Sequence, residues 1–450
     1  MALLLGTKMD AVLLERFETL QKDIDCSQVI AGAHEMGSKE QVINFLITSA
    51  CLLDSDFTQK EDIIEYAIET LIMQGPLSPY SDAIAEMHFR EGEENTCFRG
   101  SKSPCGLVNP DSLCYINATL QLLYRVKPLR EHLFSMNATS AQRCEPAREM
   151  AKIFAEMRHW LGFHADPTSL CRSMAKSCAT GPYSDMSQSY DASAFLRDLV
   201  GVCMRAGEGV QEVWQCVTGS TTSTTVVQHA DSRCIRTVRE EGFQVLPLPC
   251  EYRDADGDVG LRTSSSVQES LGSFFREHAL HTGGSCAERL NHLSPYMILQ
   301  LKRFWFDREG MTVKKLHTPI EVEELLDTGH YFLPAREDGM QYRVRAIVVH
   351  TGEEEDGHYS CYIRQDDGKD SMDVWWCLDD EKAKRCGEAA AVLTSNEVRT
   401  GAFLLLYEAQ DVEEVELLDN DGISTYLIDA VIARNERLCA EGLLGLYEGR

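Results

Sequence analysis

Apolar residues recur along this chain with two periods, and the dominant period changes with position. Over the first 76 residues the spacing is helical. Val12, Leu13, Phe17 and Leu20 form one stripe, and Ile63, Ile64, Ala67, Ile68, Leu71 and Ile72 form another. Capping-box patterns at Ser38 to Gln41 and Thr58 to Glu61 precede apolar runs, and Gly75 with Pro76 stops the second. Residues 1–76 are therefore predicted to be a small helical module, followed by a polar linker over 77–104. From 105 to 408 the pattern is mixed. Met150, Ile153, Phe154 and Met157 keep helical spacing, whereas Phe243–Leu248, Tyr296–Leu301, Val344–Val349 and Phe403–Tyr407 are apolar runs of strand length. The Ser/Thr-rich stretch Thr218–Thr225 is expected to be an exposed loop. Residues 409–450 hold an acidic stretch, Asp411 to Asp421, and then Leu427, Val431, Ile432 and Leu438 at helical spacing. There is no internal repeat and no phosphate-cradling glycine loop.

Charge narrows the function classes. The 450 residues carry a formal net charge of −28, which argues against nucleic acid or an anionic membrane as partner. No apolar run approaches the roughly 20 residues that span a bilayer. The early run Ala2–Leu5 is cut by Lys8 and Asp10 before it reaches signal-peptide length. An intracellular site, cytoplasm and/or nucleus, is expected. The 17 cysteines then read as thiols rather than a disulfide framework.

Three segments carry candidate chemistry. In Gly106–Gln121 a loop containing Asn109, Pro110 and Asp111 runs into an apolar helical pattern that starts at Cys114. A cysteine there meets unpaired backbone N–H groups and the positive end of the helix dipole, which favour the nucleophilic thiolate. In Val348–Ile363 a strand enters a polar loop and a second strand leaves it at Gly357 and His358. Trp375 to Asp380 then ends an aromatic strand on two aspartates. Taken in the order cysteine, histidine, aspartate, these residues supply a nucleophile, a base and a group that orients the base.

These segments resemble the ubiquitin-specific proteases, papain-like cysteine proteases, over about 105–408. The Cys114 segment resembles the family's Gly-Leu-x-Asn…Cys-Tyr-x-Asn-x-x-Leu-Gln box. Ser187–Leu196 resembles its Gln-Gln-Asp-Ala-x-Glu-Phe box. Ser294–Phe304 resembles its Leu-Lys-Arg-Phe strand, Gly352–Tyr362 its Gly-His-Tyr box, and Ala402–Glu408 its closing strand. The resemblance implies an α+β papain-like fold with thumb, palm and fingers. It also implies cofactor-free hydrolysis of the bond after the C-terminal glycine of ubiquitin. It makes Cys114 the nucleophile, His358 the general base and Asp379 the third member. Asp380 becomes an adjacent contributor and Asn109 an oxyanion-stabilising amide. Asp191 is implied as the acid that meets basic residues of the ubiquitin tail, with Gly357 and Tyr359 as further substrate contacts.

Departures from the pattern define the alternatives. Asp111-Ser112-Leu113 stands where the family has Gly-(Asn/Ala)-Thr, and a carboxylate near the thiol opposes thiolate formation unless it points to solvent. Ser189, Tyr190 and Ala194 replace Gln, Gln and Glu. Two alternatives to an active deubiquitinase stay open: a catalytically weak ubiquitin-binding scaffold, and an isopeptidase for another modifier such as SUMO. The two Cys-x-x-Cys pairs of a zinc-bearing fingers subdomain are missing, and Cys216, His229, Cys234, His281 and Cys286 lack the short-knuckle spacing, so no metal is expected. A protein partner is expected, if anywhere, on the N-terminal helices or the C-terminal helix.

Overall fold

The computed structural model describes residues 104–410 apart from loops at 137–142, 160–163, 179–180, 208–209, 229–233, 254–260, 280–283, 308–310, 333–339, 354–355 and 366–373, together with 424, 426 and 427. The helical module expected over 1–76, the linker up to 103 and nearly all of the acidic tail lie outside the described residues. The chain divides into two compact units, and Gly106–Phe154 with Asp166–Leu417 forms the one that carries the chemistry below. The other comprises Met1–Cys105, Ala155–Ala165 and Leu418–Arg450, of which few residues are described.

Helices dominate the first part of the described chain. They are α1 (Cys114–Tyr124), α2 (Lys127–Ser135), α3 (Glu145–His159), α4 (Thr168–Ser177) and α5 (Ala192–Arg205). Every residue of α1 is buried. A helix that is apolar nearly all round belongs inside a domain rather than on its surface, and α1 packs against the central sheet and α5. Helix α5 is capped by Asp191, whose side chain accepts from the Ala194 N–H. Three short helices follow later: α6 (Val267–Phe274), α7 (Ala389–Leu393) and α8 (Asn396–Gly401).

Twelve strands build two main sheets, and two more pair with each other. In chain order they are β1 (Gly219–Gln228), β2 (Cys234–Phe243), β3 (Val245–Pro249), β4 (His278–Ala279), β5 (Gly284–His292), β6 (Tyr296–Lys302), β7 (Phe304–Asp307), β8 (Thr312–Lys315), β9 (Leu325–Asp327), β10 (Gln341–Thr351), β11 (His358–Gln365), β12 (Val374–Asp379), β13 (Lys382–Gly387) and β14 (Ala402–Ala409). Strand β7 pairs with β8 on its own. The central eight-stranded sheet has the order β13-β12-β11-β10-β14-β6-β3, with β9 also on β10. It is antiparallel except where β6 meets β3. Leu299, Leu301, Val344, Ile347, Val349, Leu405 and Tyr407 join residues of α6, α7 and α8 in one core. The alternate residues Ile298, Val348, Leu404 and Leu406 are also buried, because helices cover both faces and a doubly covered strand reads as one apolar run. A register irregularity between Val344 and Ala346 shifts which parity faces that core.

The second sheet corrects a sequence expectation. Thr218–Thr225 is not a loop: it lies almost wholly within β1, in a four-stranded sheet ordered β2-β1-β5-β4. Ser/Thr-rich composition signals a loop only on average. Threonine is β-branched and suits a strand whose faces are only partly covered, where apolar alternation is not required. Residues 222–227 are all half-buried.

Candidate active site

The position of Cys114, the candidate nucleophile, follows from how α1 begins. The Leu113 N–H donates to Asn109 Oδ1 (2.8 Å), and the Ser112 N–H donates to the Met186 carbonyl (3.1 Å). The loop is thereby pinned on both sides of Pro110 and Asp111, and the helix starts at Cys114. The first intrahelical bond runs from the Asn117 N–H to the Leu113 carbonyl (2.9 Å), so the Cys114 N–H has no partner inside the helix. Asp111 is exposed. Water therefore screens the carboxylate whose proximity argued against a thiolate.

His358, the candidate base, sits at the first residue of β11, opposite Thr351 on β10. Its loop is fixed from below. Lys315 on β8, itself buried, donates from Nζ to the carbonyls of His350 (2.7 Å) and Gly352 (2.8 Å). Burial, and then the neighbouring Arg303, lower the Lys315 ammonium to about 8. The His350 ring is buried between Phe304 and Tyr359, at centroid distances of 5.1 and 4.6 Å. It lies directly under Gly357: a Cβ there would come within 2.0 Å of His350 Nε2. Burial and the nearby Lys315 and His358 push His350 down to about 3, which keeps the ring neutral.

His358 Nε2 lies 2.6 Å from Asp379 Oδ1, and the ring lies near enough to the Cys114 side chain to be perturbed by it. Because Nε2 faces the aspartate, Nδ1 is the nitrogen left for the sulfur. The neighbouring Cys114 side chain, partly offset by burial and reinforced by Asp379, raises His358 to about 9. Near neutral pH the ring is an imidazolium beside a sulfur at a helix N-terminus, the arrangement of an activated thiol.

Asp379 ends β12 and pairs with Lys382 across a two-residue hairpin. The first turn residue, Asp380, has φ 53°, a region aspartate tolerates better than most side chains. This turn sends the two carboxylates to different partners. Asp380 is 3.9 Å from His358 Nε2. Its Oδ2 accepts from Asn109 Nδ2 (2.7 Å) and its Oδ1 from Asn117 Nδ2 (2.8 Å). Burial raises the Asp380 carboxyl, and the Asn117 and Asn109 hydrogen bonds oppose that rise. The ligand atoms of His358, Asp379 and Asp380 lie within 4.8 Å of one another. A metal there would compete for the nitrogen now bonded to Asp379.

The structure thus brings Cys114, His358, Asp379, Asp380 and Asn109 into one cluster. Asp191 lies near the Tyr359 ring, which also feels Cys114. Its Oδ1 accepts from the Ala194 N–H (2.7 Å) and the Ser193 hydroxyl (2.5 Å), so Oδ2 is the oxygen turned to other partners. Tyr359, expected to touch substrate, has a ring only 4% exposed, packed against His350 and Phe403. Tyr190, standing where the family has Gln, packs edge-on against Tyr115 and Tyr183. Of the residues weighed as zinc ligands, His229, His281 and the Cys234 side chain lie outside the described residues. Cys216 Sγ donates to the Val213 carbonyl, and Cys286 Sγ meets Thr225 and Ser223 hydroxyls. Sequence reasoning gave no role to Asn117, His350 or Lys315. The available signal was polarity out of place, such as the amides of Asn117 and Gln121 inside the apolar helix α1.

A helix-borne thiol facing an imidazole on a sheet, with a carboxylate behind it, defines a papain-like cysteine hydrolase scaffold. Comparison with known proteins makes the assignment narrower. The family model described as "Ubiquitin carboxyl-terminal hydrolase" matches residues 105–407, and the chain belongs to that family. Among its relatives is "Ubiquitin carboxyl-terminal hydrolase 26" of Arabidopsis thaliana, 24% identical over 310 residues, covering 64% of this chain and 27% of that protein. "Ubiquitin carboxyl-terminal hydrolase 25" of the same plant is 26% identical over 309 residues, covering 63% of this chain and 44% of the relative. "Ubiquitin carboxyl-terminal hydrolase 17-like protein E" of Mus musculus is 26% identical over 355 residues, covering 72% and 59%. The chain spans less than two thirds of the length of each of these relatives.

Proposed function

We propose that this protein is a thiol-dependent deubiquitinase. Cys114 attacks the carbonyl carbon of the C-terminal glycine of ubiquitin, joined to an amine. The oxyanion that forms is met by the Cys114 N–H and by the Asn109 Nδ2 hydrogen that Asp380 leaves free. His358 delivers its proton to the leaving amine, and a thioester remains on Cys114. Water, giving its proton to His358, then hydrolyses the thioester and frees the glycine carboxyl. The observation that carries this reading is the convergence of Cys114, at the start of α1, with a His358 ring whose Nε2 lies 2.6 Å from Asp379 Oδ1. Ubiquitin bearing a C-terminal electrophile should label wild type within minutes and leave Cys114→Ala unlabelled. Absence of labelling of the wild type refutes the reading.

A second reading changes only the modifier. Ala194 replaces a family glutamate, so this groove offers one carboxylate fewer to a basic tail. A panel of SUMO and other ubiquitin-like probes decides between the two, and preferential labelling by one of them replaces ubiquitin as the substrate.

A further inference from the structure

The Asn109 amide has its orientation set by two bonds. Its oxygen accepts from the Leu113 N–H, and one hydrogen of Nδ2 goes to Asp380 Oδ2. Asp380 in turn needs a second anchor, because a carboxylate held by one oxygen can still swing. That anchor is Asn117 on α1. Three acceptors surround Asn117 Nδ2: Asp380 Oδ1 (2.8 Å), the Val108 carbonyl (3.3 Å) and the Leu107 carbonyl (3.4 Å). With only acceptors around it, this side of the amide must be nitrogen. Asn117 is 2% exposed and sits one helical turn after Cys114. The Leu107 N–H closes the arrangement from the backbone by donating to the Asp380 carbonyl (2.8 Å).

We infer that Asn117 is a positioning residue for the oxyanion donor: it holds Asp380, and Asp380 holds the Asn109 amide at the mouth of the thiol site. The inference rests on the deubiquitinase reading and adds a residue that acts through two others. It separates two parts of the site. The thiol–imidazole pair is oriented by Asp379, whereas the oxyanion donor is oriented by the Asn117–Asp380–Asn109 chain. Losing Asn117 should therefore impair the step in which charge gathers on a carbonyl oxygen and spare the reactivity of the sulfur.

Two rates measured on the same full-length protein test this. Alkylation of Cys114 by iodoacetamide forms an S–C bond as iodide leaves, and no oxyanion develops. It is followed by mass spectrometry of the Cys114 peptide, since the chain has other thiols. Hydrolysis of ubiquitin joined to a fluorogenic amine requires the oxyanion. Removing a whole oxyanion donor costs about 10²–10³ in kcat, so loosening one is expected to lower kcat about 10- to 100-fold in Asn117→Ala. KM and the Cys114 alkylation rate should stay within about twofold. The alkylation rate also reports whether the variant has folded. A parallel fall of alkylation and kcat overturns the inference, as does an unchanged kcat.

Asn117→Asp supplies a second readout at constant shape. Only a protonated carboxyl can donate to Asp380, and two ionised carboxylates repel. The ratio of variant to wild-type kcat should drop about tenfold or more between pH 5.5 and 7.5. A flat ratio overturns the inference. A wild type that does not turn over ubiquitin overturns the parent reading, and this one with it. Turnover with an unperturbed Asn117→Ala overturns this one alone.

Discussion

Gly357→Ala perturbs the site through a single methyl group. The new Cβ would lie 2.0 Å from His350 Nε2, 2.3 Å from Cε1 and 2.5 Å from the Glu353 carbonyl. Carbon contacts settle near 3.5 Å, so ring and methyl must separate by about 1.5 Å. The ring has little room to retreat: it is 3% exposed, wedged between Phe304 and Tyr359, and its backbone carbonyl is held by Lys315. The alternative is that the loop rises, carrying His358, the next residue, away from Cys114. A misplacement of about 1 Å at a reacting group costs on the order of 100-fold in rate, which corresponds to about 2.7 kcal/mol of barrier. Overpacking of this kind lowers stability by about 1–3 kcal/mol. Hydrolysis of a fluorogenic ubiquitin amide, with thermal melting in parallel, should show kcat down about 100-fold in a protein still folded at 25 °C. Adding His350→Ala vacates the contested space and should recover at least about fivefold of that loss, since the loop can then settle. Near-normal activity of Gly357→Ala, or a folded double variant no faster than the single one, would refute this account of the glycine.

Other consequences follow from the same geometry. Asp379→Ala removes a bond that favours the charged imidazole. The His358 value should then fall from about 9 toward its ordinary 6.5, and the alkaline limb of the kcat profile should move to lower pH. A limb that stays in place would show that Asp379 does not act on the ring. The raised His358 value also makes its contribution to stability greatest below pH 6.5 and lost as pH climbs through about 9, which chemical denaturation of wild type against a His358→Gln variant can follow. Asp111→Asn should change kcat less than about twofold, because exposed charges are screened. Arg303 is fully buried and donates to the carbonyls of Ala402, Leu316, Thr318 and Arg399. Arg303→Ala leaves these acceptors unpaired and should lower the unfolding free energy by more than about 3 kcal/mol in denaturant titration.

Much of the site was legible in local sequence because its parts are local motifs. A loop with Gly106, Asn109, Pro110 and Asp111 running into an apolar helix placed Cys114, and a strand–loop–strand pattern placed His358. An aromatic strand ending on two aspartates placed Asp379 and Asp380. The apolar runs at 296–301, 344–349 and 403–407 are strands of the central sheet, since a strand covered on both faces needs no alternation. Where burial was only partial, composition misled, and the Ser/Thr-rich stretch became β1.

What the chain's order of residues determined is the list of reactive groups and the elements that carry them. The tertiary structure alone decided which groups meet. Asn117 and Asp380 are 263 positions apart, and their 2.8 Å bond exists only because α1 packs beneath the hairpin of β12 and β13. The same holds for Lys315 under the His350 loop and for the His350 ring beneath Gly357. Two adjacent aspartates look alike in sequence. A backbone turn with φ 53° sends one to the imidazole and the other to a pair of amides, because hydrogen-bond partners are selected by position in space and not by order along the chain.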